Sequence, residues 1–232
     1  MIALVAAGPA ASVDDLLSRP IALVVALAVV SLLPFAFMTV TAFVKIATVL
    51  QIVRSAIGAQ GVPSGSVIMA LAAALTLIAM APVGEKIASR AAPLVSAKGL
   101  PDTVTLVREG VDAVREPMRE FLEANASDTE RARFLDVARS TRPESERAAV
   151  TARDLTVVVP AFVVTELGEA FAVGFLIYLP FLVIDLVVSN VLLALGMQMM
   201  SPTQVSLPFK LLLFVAIDGW GLLARSLVAG YH

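Results

Sequence analysis

Three features of the sequence predict an all-α membrane protein: two hydrophobic helical hairpins, four hydrophobic helices in all, flanking a soluble, charged helical insert. Hydrophobic residues make up 59% of the 232 positions, more than an ordinary soluble domain carries. They lie in charge-free runs, Pro20 to Val44, Ser55 to Gly84, Ala170 to Ile184 and Leu186 to Phe209, with a shorter fifth from Leu211 to Ile217. About 20 apolar residues suffice to cross hydrocarbon as a helix, so two crossings are expected before residue 85 and two after residue 165. Charge is equally uneven: 25 of the 36 Asp, Glu, Lys and Arg residues fall between Glu85 and Asp154, 12 basic and 13 acidic. That near-cancellation offers no basic stripe for nucleic acid and describes a solvated surface. The chain therefore divides into an N-terminal segment, 1–19, a first hairpin, 20–84, the insert, 85–154, and a second hairpin, 155–232.

The start, MIALVAAGPAAS, has an apolar run but no Lys or Arg before it, as a secretory signal requires. It is read as uncleaved, with a helix opening near Asp14 and Asp15, since acidic residues favour a helix N-terminus. The first hydrophobic helix is expected to continue past Val44, because Phe43, Ile46, Ala47, Leu50, Val53 and Ile57 recur at steps of three and four. Lys45, Thr48, Gln51 and Arg54 take the other side of this amphipathic extension. Gly58, Gly61, Pro63 and Gly65 then turn the chain. In the second helix Ala70, Ala74 and Ala81 are small enough for close helix packing.

In the insert, Val104, Val107, Val111, Val114, Met118 and Phe121 mark a helix laid against a partner, which Pro117 is expected to kink or end. A capping box from Ser127 to Glu130 opens a second helix with Phe134, Leu135 and Ala138 on one side, and Thr151 with Asp154 resembles the start of a third. Arg139 to Arg147 reads as loop. The connection from Lys45 to Pro63 has two basic residues and no acidic one, which assigns it to the cytoplasm and the insert to the periplasmic side.

Reactive groups are scarce. The only His is His232, there is no Cys, and neither phosphate-binding glycine motif is present. No enzymatic activity, catalytic residue, cofactor or metal is expected. The ionisable residues inside apolar runs carry the functional reading, because charge in a bilayer is expensive and faces a bundle interior or a water path. They are Glu166, Glu169, Asp185, Lys210, Asp218 and Arg225. Glu166 and Glu169 share a helix face, and Asp218 and Arg225 are seven apart. A proton relay and ion pairing between subunits both fit; the counter-charges of Lys210 and Arg225 favour pairing. Four helices with buried carboxylates would also suit an ion or small-solute transporter subunit. Gly196-Met-Gln-Met-Met-Ser-Pro202 holds three of the eight Met residues in four positions between two helix breakers. Met is deformable, so these side chains read either as a seal or as filler of an apolar core. Leu-Pro-Phe recurs at 33–35, 179–181 and 207–209, where proline predicts kinks.

Taken together these residues resemble the SctR/FliP family of type III secretion and flagellar export apparatus subunits. The resemblance runs through F-V-K-I-A-T-V-L-Q-I-V-R-S-A-I-G-A-Q-G-V-P from Phe43 and M-A-P-V from Met80. It continues with V-T-A-R-D-L from Val150, P-A-F-V-V-T-E-L from Pro160, G-F-L-I-Y-L-P-F-L-V-I-D-L-V-V from Gly174 and G-M-Q-M-M-S-P from Gly196. S-L-P-F-K-L-L-L-F-V from Ser206 and D-G-W from Asp218 close it. It implies an export gate in the bacterial inner membrane, part of it held on the periplasmic side. Several copies of the chain, five by the family pattern, would join the S and T subunits (FliQ- and FliR-like) around a pore for unfolded secreted proteins. Met197, Met199 and Met200 match the family's pore gasket. The first turn departs from the family's Q-Q-x-P-P-N, reading Gln60-Gly61-Val62-Pro63-Ser64-Gly65. Lys45 stands where flagellar members carry Arg, and the start lacks their signal peptide; both favour an injectisome over a flagellum.

Overall fold

The computed structural model describes residues 24, 27, 28, 30–32, 34–59, 61–96, 103–197 and 199–231. The expected N-terminal segment 1–19, with its helix near Asp14, lies outside the described residues, as do Gln60, Gln198 and His232. Among the described residues all regular structure is helical and no strand occurs. The chain divides into two units, Met1–Phe37 and Met38–His232. The first is helical wherever it is described; the second holds every site residue named above.

Helix α1 (Phe43–Ile57) buries the whole predicted apolar face, Phe43, Ile46, Ala47, Leu50, Val53 and Ile57. The expected unbroken helix from the preceding run is interrupted at Thr41 and Ala42. There the Thr41 hydroxyl accepts the Phe43 N–H at 3.3 Å, a local bond that competes with helix continuation. α1 ends where Gly58 adopts φ 75° and donates its N–H to Arg54 O, the left-handed cap that glycine provides without steric cost. Gly61, at φ 78°, reverses the chain, and Arg54 Nε donates to Pro63 O at 2.7 Å across the turn. Ser64 then caps α2 (Gly65–Ala79), accepting the Val67 N–H. The second predicted helix is two pieces: α3 (Ala81–Ser96) leaves α2 at 55°. The insert boundary at Gly84 and Glu85 falls inside α3.

Pro117 does not end α4 (Thr103–Asn125), which runs eight residues beyond it. Phe121 and Leu122 in that extension are buried, so packing compensates for the one N–H the proline lacks. α5 (Asp128–Ser140) begins at the predicted box, with Ser127 Oγ accepting the Glu130 N–H at 3.2 Å. The reciprocal half is different: Glu130 bonds Arg133 at 2.6 Å, and the Ser127 N–H goes to Thr165 Oγ1 at 3.0 Å. Arg139 to Arg147 is not loop throughout, since α5 reaches Ser140 and α6 (Glu144–Arg147) forms one turn. Arg139 donates to Val150 O at 3.1 Å, drawing this stretch together. The Thr151 and Asp154 roles are reversed: Asp154 accepts the Thr151 N–H at 3.1 Å and hydroxyl at 2.8 Å. These bonds hold its carboxyl below the usual range and place it as the residue before the next helix. On the exposed side, Glu120 of α4 bridges Lys86 and Arg90 of α3; the hydrogen bond and charge of Lys86 lower its carboxyl pKa.

The largest correction concerns the second hairpin. Ala170 to Ile184 and the start of the Leu186 run are one helix, α7 (Leu155–Ala194), of 40 residues, passing straight through Asp185. At 1.5 Å per residue it is about 60 Å long, roughly twice the hydrocarbon thickness. It stops at Gly196, φ 71°. The Gly196 N–H reaches Leu193 O and the Met197 N–H reaches Leu192 O, the paired bonds of a glycine-terminated helix. α8 (Pro202–Ala216) and α9 (Gly219–Ala229) follow, bent 58° at Ile217 and Asp218. Among the described residues α7 alone is long and apolar enough to cross a membrane by itself; bent pairs such as α2 with α3 and α8 with α9 meet that test only together.

α7 is the element against which the others pack. α1, α4 and α5 lie on its N-terminal half, where Val157, Val158, Ala161, Phe162 and Ala170 are buried, and α8 lies on its C-terminal half. α1 comes close at Gly174, where an added Cβ would stand 2.5 Å from Ile52 Cδ1. Gly174→Ala is therefore expected to destabilise the chain by about 1–3 kcal/mol through overpacking. Gly168→Ala on the same helix, where nothing lies within 4 Å, should be neutral or slightly stabilising. Denaturant titration in detergent checks the contrast, and equal effects at both positions would contradict the α1–α7 packing.

Candidate functional site

Buried charge concentrates at two places along α7. At the first, Glu166 is 1% exposed and Lys45 of α1 is 8% exposed. Lys45 Nζ lies 2.5 Å from Glu169 Oε2 and 3.8 Å from Glu166 Oε1. Tyr231, beyond α9, hydrogen-bonds Glu166 through its hydroxyl, which also lies 3.3 Å from Ala42 O. Its ring stacks on Phe121 at 5.9 Å and sits 5.1 Å from the Lys45 ammonium, a cation–π distance. Segments from α1, α4, α7 and the C-terminal end thus meet at one cluster. Because Glu166 and Glu169 are three apart, both face α1.

At the second, Lys210 of α8 is 3% exposed and its ammonium lies 2.6 Å from Asp185 Oδ2. It also donates to Ala56 O near the end of α1 at 3.2 Å. Ser206, one turn before Lys210, donates to Asp185 Oδ1 at 2.5 Å. Both carboxylate oxygens are thereby engaged, and a single lysine joins α1, α7 and α8. This explains why Asp185 does not break α7: its counter-charge comes from a helix 25 residues downstream.

Four of the six predicted intramembrane charges, Glu166, Glu169, Asp185 and Lys210, therefore find partners within the same chain. Asp218 and Arg225 do not meet each other. Both are exposed, and neither makes an ion pair among the described residues. Asp218 instead forms the bend between α8 and α9. Lys45 and Tyr231 were missed by sequence reasoning. Lys45 follows directly on a 25-residue charge-free run, a signal that was read as the polar face of an amphipathic helix; Tyr231 carried none.

The loop after α7 exposes its methionines. Met199 is fully exposed, and Met197 and Met200 are well exposed beside it. Gly58, Gly61 and Pro63 form the turn at the end of α1, and Gly58 lies close to Thr203 and Lys210 of α8.

Fold and site together define an all-helical membrane-type protein whose buried polar chemistry is used to join its own helices. The FliP family model matches residues 26–227. The hypersensitivity response secretion protein HrcR of Ralstonia nicotianae is 43% identical over 210 residues, 90% of this chain and 96% of the relative. The Yop proteins translocation protein R of Yersinia pestis is 42% identical, covering 90% and 95%, and the flagellar biosynthetic protein FliP of Bacillus subtilis is 37% identical, covering 92% and 93%. The chain belongs to the FliP family of type III secretion export apparatus proteins, with its SctR-like members favoured by these identities.

Asp185→Asn leaves the Lys210 ammonium buried without its counter-charge and is expected to cost about 3–5 kcal/mol. Adding Lys210→Met should recover a substantial part of that loss, a non-additivity that a double-mutant cycle measures. Additive losses would show that the two residues do not act as a pair.

Proposed function

We propose that the chain is a core subunit of the type III secretion export gate, forming with its partners a protein-conducting channel for unfolded substrates. The carrying observation is apolar surface that one copy leaves bare. On the second half of α7, Leu176, Leu182, Leu186, Val187, Val191 and Leu193 are exposed, as are Phe209, Leu212 and Val215 of α8. Exposed apolar surface of this extent marks contact with protein or lipid, and a helix of about 60 Å cannot be covered by one bilayer crossing. Neighbouring copies, five in the assembly, with FliQ- and FliR-like subunits, account for the remainder. The assembly sits in the bacterial inner membrane with part held on the periplasmic side, and the two flanking sets of helices form the hairpins of each copy.

In that assembly Met197, Met199 and Met200 form the gasket. Their side chains project from a loop fixed by the Gly196 cap at one end and Pro202 at the other, and they are deformable enough to close around varied chains. Asp218 and Arg225, exposed and without an ion pair among the described residues, are the charges left for pairing between subunits. A self-sufficient ion or solute transporter is less well supported, because Glu166, Glu169 and Asp185 each lie within 3.8 Å of a lysine.

Imaging the chain purified with its two partner subunits should reveal a ring of several copies around a central axis; a small bundle that transports alone would overturn the reading. Replacing Met197, Met199 and Met200 by Ala should leave assembly intact and raise the resting leak of ions through the inner membrane. An unchanged leak in the assembled triple variant would remove the gasket role.

A further inference from the structure

An apolar cavity of about 540 Å³ lies between α7, α8 and α9, with Ile177, Phe181, Phe214, Leu223 and Leu227 among its walls and Lys45 at its edge. α9 is one of those walls, and it is attached in an unusual way. At its start Asp218 adopts φ 51°, a left-handed conformation rare for a residue with a side chain. The bend is tight: a Cβ on Gly219 would stand 2.3 Å from the Phe214 ring, and one on Gly221 would stand 2.3 Å from the Asp218 carboxylate. Leu223 and Leu227 bury an apolar edge, and α9 rests on α2 and α8. Among the described residues, however, no ion pair or side-chain hydrogen bond of residues 219–229 reaches another helix. The polar attachment comes two residues after α9, where Tyr231 bonds Glu166 and lies against Lys45 and Phe121.

We propose that α9 is a hinged flap, pivoting at Asp218 and Gly219 and held shut by Tyr231, over the apolar cavity between α7 and α8. An 11-residue helix is too short to persist on its own, and its apolar packing, Leu223 and Leu227 on the buried edge and Trp220 edge-on to Phe214 at 5.0 Å, stands beside an open cavity. The Tyr231 hydroxyl therefore controls whether the cavity is closed or joined to the bare apolar side of α7. Tyr231 is a positioning residue: it acts through the placement of α9 and touches no substrate.

The chain has no cysteine, so one introduced thiol reports one place. Leu223→Cys puts a thiol on the inner side of the flap, and Val157→Cys puts one in the buried half of α7, remote from it. Each is made with Tyr231 intact and with Tyr231→Phe, which keeps the ring on Phe121 and Lys45 and removes only the hydroxyl. Loss of a hydrogen bond to a charged group should raise the open population about tenfold. The labelling rate of Leu223→Cys by a polar maleimide, measured on the full chain in detergent, should rise by that factor, while Val157→Cys stays slow. Equal rates at Leu223→Cys with and without the hydroxyl would overturn the latch. Acceleration at both positions would overturn the flap, since the hydroxyl would then be holding the whole fold together.

Discussion

The fold depends on two lysines fixing the position of a helix that hydrophobicity alone leaves undetermined. α7 is apolar on every side for most of its 40 residues, so burial favours many rotations and many registers of its neighbours almost equally. Apolar contact is non-directional; a buried ion pair is not. Lys45 holds α1 at Glu166 and Glu169, and Lys210 holds α8 at Asp185 while reaching back to Ala56 O. Gly174 adds a steric notch that receives Ile52 where a Cβ would clash with it. Buried pairs contribute little net stability, because desolvation offsets their attraction, and a role in fixing one arrangement is their better-attested use.

This constraint divides α7 into halves with different surroundings. Up to Gly174 it is packed on one side by α1, α4 and α5, and polar groups such as Thr165 are satisfied by the insert through the Ser127 N–H. Beyond it the end of α1, α8 and, across the cavity, α9 lie on one side. The first half belongs to a packed helical body and the second presents surface to lipid or to other subunits. The insert packs on the first half through α4 and α5, so the charged stretch and the hydrophobic helix lie in one compact unit.

What was legible in the sequence followed from local chemistry. Steps of three and four found α1 and its buried face, Ser127 announced α5, Gly58 and Gly61 announced the turn, and Gly196 with Pro202 bounded the methionine loop. The ordered motif blocks identified the family. What was hidden depended on partners far along the chain. Asp185 looked like a boundary until Lys210 supplied its counter-charge, and Lys45 looked like solvent-facing polarity until Glu166 and Glu169 enclosed it. Pro117 looked like a kink or a stop because one-dimensional reading sees the missing N–H and not the burial of Phe121 and Leu122. The break at Thr41 is marked by a side-chain bond to the Phe43 N–H that no periodicity announces, and Tyr231 lay outside every periodic pattern.

For an export apparatus subunit, a rigidly registered core beside a bare apolar flank separates two tasks, keeping each copy's shape and offering surface for assembly. Disulfide trapping tests the registration most directly, because the chain has no cysteine of its own. Ile52→Cys would be paired in turn with cysteine at Ala170, Gly174 and Tyr178, successive turns of α7. With Lys45 present, trapping should occur fastest at 174, where Ile52 Cβ lies 3.2 Å from the position of an added Cβ, near the range a disulfide requires. With Lys45→Met, that preference should spread over the three positions. An equally sharp preference for 174 without the lysine would contradict the claim that buried charge sets the register of the fold.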